Sequence, residues 1–281
     1  MKNDLQLLWQ PAIIFPTITV ISWLAMLAVL FGSWYTSGEP RYVSEEDTQT
    51  IAFISDIGAQ NLKPVFIACS TLAMSTYLPT IALYFYFLSP THPHTGNRKS
   101  SPLSTLTRIG IPFLSSFFSL IGAVALILLT IFDTARFGVV HRRLLPASIL
   151  SHILGCSLLC GWTFIRLHQH RQNTSLNGPG GILSGDKFTV ELYALAPIPI
   201  SMASLVIKSI VVAFEFGLVV LFATMTWWLK TFDTAAVMEW TVVLMFAGYM
   251  ACQAVDMWMI IRTQNARIEV ENEEPPIGIA I

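Results

Sequence analysis

The chain has 281 residues, of which 54% are apolar or aromatic and only 12% are charged, against roughly 25% charged in a soluble globular chain. Half the usual charge, with long apolar runs, excludes both an ordinary soluble domain and a disordered chain. Sixteen Lys and Arg against 17 Asp and Glu leave a net charge of −1, which excludes nucleic-acid binding driven by net charge.

A helix needs about 20 mostly apolar residues to cross a bilayer. In chain order the qualifying stretches are Ala12–Trp34, Lys63–Leu88, Ile109–Phe132, Pro146–Ile165, Ser201–Leu229 and Ala236–Ile261. The expected fold class is therefore all-α, a polytopic bundle of six transmembrane helices. Residues 1–268 form one membrane domain and residues 269–281 an acidic, disordered tail. The first apolar run exceeds a signal-peptide core of about 7–15 residues and reads as a retained span. Prolines mark span starts at Pro64, Pro112 and Pro146, where the missing N–H is free of cost. Pro79 falls inside the second span and should kink it. Pro197 and Pro199 divide a long apolar stretch, so Phe188–Ile200 is assigned to an interfacial segment.

The Lys and Arg bias sets orientation. Nine basic residues fall with the termini and the second and fourth connections, and six on the opposite side, which places both termini in the cytosol. The sequon Asn173-Thr174-Ser175 then lies on the cytosolic side and stays bare. Cys69, Cys156, Cys160 and Cys252 all fall within spans and read as small packing residues, with neither a disulfide framework nor a metal site expected. No cofactor is expected.

Ionisable groups at membrane depth are costly and are functional candidates by default. Lys208 and Glu215 lie in the fifth span and Asp256 in the sixth. Lys208 and Glu215 are seven residues apart, an offset of about 10 Å along the axis, which is long for a salt bridge. Lys208 and Asp256 come to similar depth on antiparallel helices and are expected to pair, leaving Glu215 protonated or bonded to a hydroxyl. These charges either line a proton or ion path or serve simply as glue for the bundle.

Asp56, Asp133, His141 and Glu239 fall on the opposite side from the termini, with His141 in a third outer loop that runs on from Phe132-Asp133-Thr134. They are candidates for a polar site at the headgroup layer, joined by Arg142 and Arg143. Capping is the competing role, since Asp is a favoured N-cap. His152, inside the fourth span, reads as a satisfied core histidine. No G-x-S-x-G, H-E-x-x-H or Walker-type loop occurs, so no enzymatic activity is expected. On the cytosolic side Arg98, Lys99, Arg108, Arg166, Arg171 and Lys187 form a basic face suited to anionic phospholipid or a partner, at about 1 kcal/mol per basic residue near the surface.

Three stretches carry a family resemblance. One is Ile54-Ser55-Asp56-Ile57-Gly58-Ala59 followed by Pro64 and Phe66. The second is Ile131-Phe132-Asp133-Thr134 with His141 downstream. The third is Glu239-Trp240 with Phe246, Tyr249 and Asp256, preceded by Lys208 and Glu215. On these the chain resembles the Frag/DRAM/Sfk family of membrane proteins, nearest its fungal Sfk-like members. The sequence departs from the family pattern at Ala52-Phe53, where Pro-Tyr often stands, and after Pro64, where a glutamate often follows.

The resemblance implies six spans, cytosolic termini and residence in the plasma membrane. It also implies a role in recruiting a phosphatidylinositol 4-kinase complex and in phospholipid asymmetry or sterol retention. Relatives act in remodelling glycosylphosphatidylinositol-anchor lipid or in autophagy at lysosomes. The expected partners are membrane lipids and a peripheral lipid-kinase complex. A transporter ranks behind these readings, because no internal repeat of the kind many transporters show is visible.

Overall fold

The structure, a computed structural model, describes residues 2–88, 106–176 and 202–273. The helices are α1 (Lys2–Thr36), α2 (Ile54–Gly58), α3 (Lys63–Leu88), α4 (Ile111–Ile131), α5 (Thr134–Leu176), α6 (Met202–Thr224) and α7 (Phe232–Glu273). Single π-turns at Leu106–Gly110 and Met225–Leu229 precede α4 and extend α6. Among the described residues there is no strand.

Six helices are long and apolar enough to cross a membrane: Gln10–Thr36, Lys63–Leu88, Ile111–Ile131, Thr134–Gln169, Met202–Leu229 and Phe232–Thr263. Hydrocarbon offers no partner for a backbone N–H or C=O, so each crossing closes its hydrogen bonds internally as a helix. Large apolar side chains such as Ile21, Phe113 and Ile210 point outward and are more than half exposed. Outward apolar surface of this kind suits lipid and would be unfavourable in water.

Each spanning helix packs on its chain neighbour, and α7 returns to α1, so the six close into a ring. The connections between α1 and α3, α4 and α5, and α6 and α7 gather at one end, which carries α2. The other end holds the start of α1, the approach to α4 and the ends of α5 and α7. The tight connections from Ile131 to Thr134 and from Leu229 to Phe232 make α4 with α5, and α6 with α7, antiparallel neighbours.

The fourth span differs from expectation. It begins at Thr134, directly after Asp133, and Pro146 lies inside α5. The expected third loop is helix, so His141, Arg142 and Arg143 sit on α5. Asp133 explains the early start, because its Oδ1 accepts the Arg136 N–H at 2.7 Å and caps the helix. The irregularity falls at Phe137 (φ −127°, ψ 39°). α5 also runs on through Arg166 and Arg171, so the expected fourth loop is helical up to Leu176. α3 continues through Pro79. α7 reaches Glu273, so the first residues of the expected disordered tail are helical. The expected interfacial segment Phe188–Ile200 and residues Arg98, Lys99 and Lys187 lie outside the described residues.

Small residues let α4 and α5 approach closely. Ser115 and Ser119 are buried against Gly155, and the Ser115 hydroxyl donates to the Gly155 carbonyl at 2.8 Å. Their contact is within the chain.

Candidate functional site

Lys208 on α6 is 1% exposed and Asp256 on α7 is fully buried. The Lys208 ammonium bonds directly to the Asp256 carboxylate. It also donates to the Tyr84 hydroxyl of α3 at 3.1 Å, and the Ser204 hydroxyl donates to Asp256 Oδ1 at 2.7 Å. Three helices thus converge on one ion pair. The antiparallel run of α6 and α7 brings the two charges to the same depth, as the sequence spacing required.

At the α2 end, the acidic groups organise backbone. Asp56 Oδ1 accepts the Ser44 hydroxyl at 2.6 Å, and Oδ2 accepts the Phe53 N–H at 3.2 Å. Burial raises the pKa of Asp56 above the ordinary carboxylate value, with bonds from Ser44, Phe53 and Gln49 opposing it. Glu239 accepts the Ile54 N–H at 2.8 Å. The next contacts come from the start of α7: Asp233 accepts the Thr50 N–H at 2.6 Å and the Ile51 N–H at 2.9 Å, and the Trp240 indole donates to the Ala52 carbonyl at 3.1 Å. Residues 50–54 are therefore clamped onto α7. Asp233 was not singled out from sequence, although an Asp opening a helix is a local signal.

Asp133 accepts the Lys63 ammonium at 2.5 Å and caps α5. His141 Nδ1 lies 3.1 Å from the Leu129 carbonyl and 3.0 Å from that of Phe132. Both are acceptors, so Nδ1 carries the proton, and the ring ties α5 to the C-terminus of α4. The four residues expected at one end do gather there. They divide between two jobs: Asp56 and Glu239 hold α2, and Asp133 and His141 hold the α4–α5 turn.

The Asp133 pair has a consequence in pH. Burial acts to raise its pKa, but the Lys63 bond, the Arg136 N–H and both positive charges outweigh it, so the value lies below the ordinary one. A depressed carboxyl contributes stability that is present above its unfolded pKa and lost as pH falls through its folded pKa. Thermal unfolding of the detergent-solubilised protein, followed from neutral to acid pH, is expected to show this loss in the wild type. Asp133→Asn should lower stability at neutral pH and flatten that acid limb. An acid limb of unchanged depth in Asp133→Asn would place the titration elsewhere.

A chamber of about 90 Å³ lies inside the ring beneath α2. All six spanning helices and α2 contribute to its wall, through residues such as Trp23, Ile54, Phe66, Leu129, Phe222 and Phe246. Its acid–base groups are Glu215, Glu239 and His152. Glu215 meets neither Lys208 nor a hydroxyl among the described residues. His152 is not satisfied as expected: its Nε2 is buried without a hydrogen-bond partner among the described residues. Its ring packs against Tyr77 and Phe246, with centroids at 4.9 Å and 4.3 Å. The chamber was invisible in sequence, because no local pattern shows which faces of six helices leave a gap.

At the opposite end, Arg166 donates to the Leu88 carbonyl at 3.2 Å and lies 5.9 Å from the Trp162 ring centroid. It therefore stitches the end of α3 to α5. Arg108 lies in the π-turn before α4, and Arg171 lies on the last turns of α5, so their backbones share this end. Among the described residues no group of His, Cys, Asp and Glu is arranged to hold a metal.

Residues 11–260 match the family described as the Frag1/DRAM/Sfk1/Cwh43P N-terminal domain. Protein SFK1 of Saccharomyces cerevisiae is 28% identical over 176 residues, covering 55% of this chain and 50% of the yeast protein. The match thus spans about half the length of that relative. No solved structure matches. The family match takes in nearly all of the six-helix ring, from Pro11 on α1 to Ile260 on α7, so the chain belongs to the Frag1/DRAM/Sfk1 family of membrane proteins.

Proposed function

We propose that this protein is a non-catalytic regulator of membrane lipid organisation that supports recruitment of a phosphatidylinositol 4-kinase complex and phospholipid asymmetry at the plasma membrane. The observation that carries this reading is the family match across all six spans. The positions of the polar groups fit it. Lys208 with Asp256, and Asp133 with Lys63, are engaged in holding helices together. Arg108, Arg166 and Arg171 lie at the end that holds the start of α1 and the end of α7, and the charge bias of the sequence turns that end toward an anionic leaflet.

Not every basic residue serves that surface. Arg166 supports the end of α3, so its neutralisation should lower protein level. Neutralising Arg98 together with Lys99 should instead weaken recruitment of the kinase with expression intact. The deciding measurement is plasma-membrane phosphatidylinositol 4-phosphate, read with a fluorescent headgroup reporter. Cells lacking the protein are expected to lose signal and regain it with the wild type, but only in part with the Arg98 and Lys99 variant. An unchanged signal in the deleted cells would overturn the proposal and direct attention to the lipid of glycosylphosphatidylinositol anchors.

A further inference from the structure

The chamber gathers three buried acid–base groups, His152, Glu215 and Glu239, in one lining. Elsewhere the buried charges meet protein partners: Lys208 with Asp256, Asp133 with Lys63, Asp56 with Ser44. Glu215 is 4% exposed and forms no hydrogen bond or ion pair with any described residue. Lys208, the cation of its own helix, is held by Asp256. His152 is 8% exposed and its Nε2 is buried without a partner among the described residues. Glu239 uses Oε2 on the Ile54 N–H. These three groups from α5, α6 and α7 line one cavity whose remaining wall is mainly aromatic and aliphatic.

Unpartnered buried polar groups are costly, and a built-in cavity beside them points to a missing partner. The partner's charge follows from the lining, which holds two carboxyl side chains and neither Lys nor Arg. A phosphate or carboxylate head would meet repulsion with no cation to offset it. A group that donates hydrogen bonds would meet acceptors. Size sets a further limit. A dry cavity of about 150 Å³ holds one benzene, so about 90 Å³ admits a small head and its first few carbons. The rest of the molecule must continue between the helices or into the bilayer.

We propose that the chamber binds the head of a membrane amphiphile whose polar group is a hydrogen-bond donor, a hydroxyl or an ammonium at the end of an apolar chain. Glu215 accepts from that donor, His152 completes the polar contact, and Phe222 and Phe246 pack on the first carbons. This site is independent of kinase recruitment at the basic end.

The test uses the full-length protein in phosphatidylcholine nanodiscs. Three photoactivatable probes share one chain length and end in a primary alcohol, a primary amine or a carboxylate. Crosslinked peptides are mapped by mass spectrometry, and thermal stability is followed for every variant. The alcohol, the amine or both should label chamber-wall peptides about tenfold more than the carboxylate, which corresponds to about 1.4 kcal/mol of discrimination. Val219→Trp, which fills the chamber from α6, should abolish that labelling.

Glu215→Gln preserves shape and removes the charge, so it separates the two sources. An ammonium ligand loses its labelling, and a hydroxyl ligand keeps most of it. Should Val219→Trp fail to fold, Glu215→Leu provides the second block and should reduce both. Labelling that ignores Val219→Trp and Glu215→Leu would overturn the proposal. So would equal labelling by the carboxylate probe, or no chamber crosslink from any probe, which would leave the cavity to water alone.

Discussion

Lys208→Met is expected to destabilise the bundle by about 3–5 kcal/mol, because it strands the Asp256 carboxylate in the interior. Asp256 is fully buried, and its remaining neighbours, Tyr84 and Ser204, offer only hydroxyl donors. Asp256→Leu should cost a similar amount by stranding the ammonium. The double variant Lys208→Met with Asp256→Leu removes both charges at similar volume, and it should recover most of either loss. Replacing a buried pair with apolar residues is often neutral or stabilising. A thermal-unfolding series in detergent measures the coupling, and a double-mutant cycle isolates it. Additive losses in the double variant would show that the two groups do not act as a pair. Exchanging the charges should rescue less, because Tyr84 and Ser204 are arranged around a carboxylate on α7 and an ammonium on α6.

Gly155→Leu is expected to be strongly damaging to the contact between α4 and α5. A Cβ at Gly155 would stand 2.5 Å from Ser119 Oγ and 3.2 Å from both the Ser115 carbonyl oxygen and the Ser119 nitrogen. The hydroxyl can turn away, but the backbone of α4 cannot. Overpacking of a close contact costs about 1–3 kcal/mol, and a full leucyl side chain should fall at or beyond the top of that range by forcing α4 from α5. Gly155→Ala should be milder, since helix propensity returns up to about 1 kcal/mol. Gly161 is the control. It lies on the same helix, six residues on, with nothing within 4 Å of its Cβ position, so Gly161→Leu should leave the melting temperature at or slightly above that of wild type. Equal losses at both positions would mean that helix approach is not what Gly155 serves.

These two contacts show why the sequence carried so much of the fold. A bilayer crossing is announced by length and apolar composition alone, since hydrocarbon forces the backbone into helix wherever some 20 apolar residues run together. The six spans, the all-α class and the family resemblance were therefore legible residue by residue. The Lys208–Asp256 pair was legible for a related reason. Buried opposite charges at matched depth on adjacent antiparallel helices have few other partners, and depth is a count of residues.

Boundaries were less legible. Asp133 read as a cap or as part of a polar site at the headgroup layer, and Pro146 marks a helix start in many sequences. The structure chose the cap, because Lys63 from α3 approaches Asp133 and fixes the α4–α5 connection as a tight turn. His141 moved from a loop to a helix for the same reason, and its ring closes on the end of α4. The polar residues read as lying on one side are found at the α2 end, and only the tertiary contacts divide them into the α2 clamp and the α4–α5 turn.

What the sequence by itself determined is the solvent of this protein, its six helices and the depth of its buried charges, because each depends on composition and spacing along one chain. The closure of the ring, the clamp of Asp233 and Glu239 on residues 50–54, and the chamber beside Glu215 and His152 were decided by tertiary structure alone. Each depends on which face of one helix meets which face of another. In a bundle whose outer surface is as apolar as its core, hydrophobic patterning does not encode that choice.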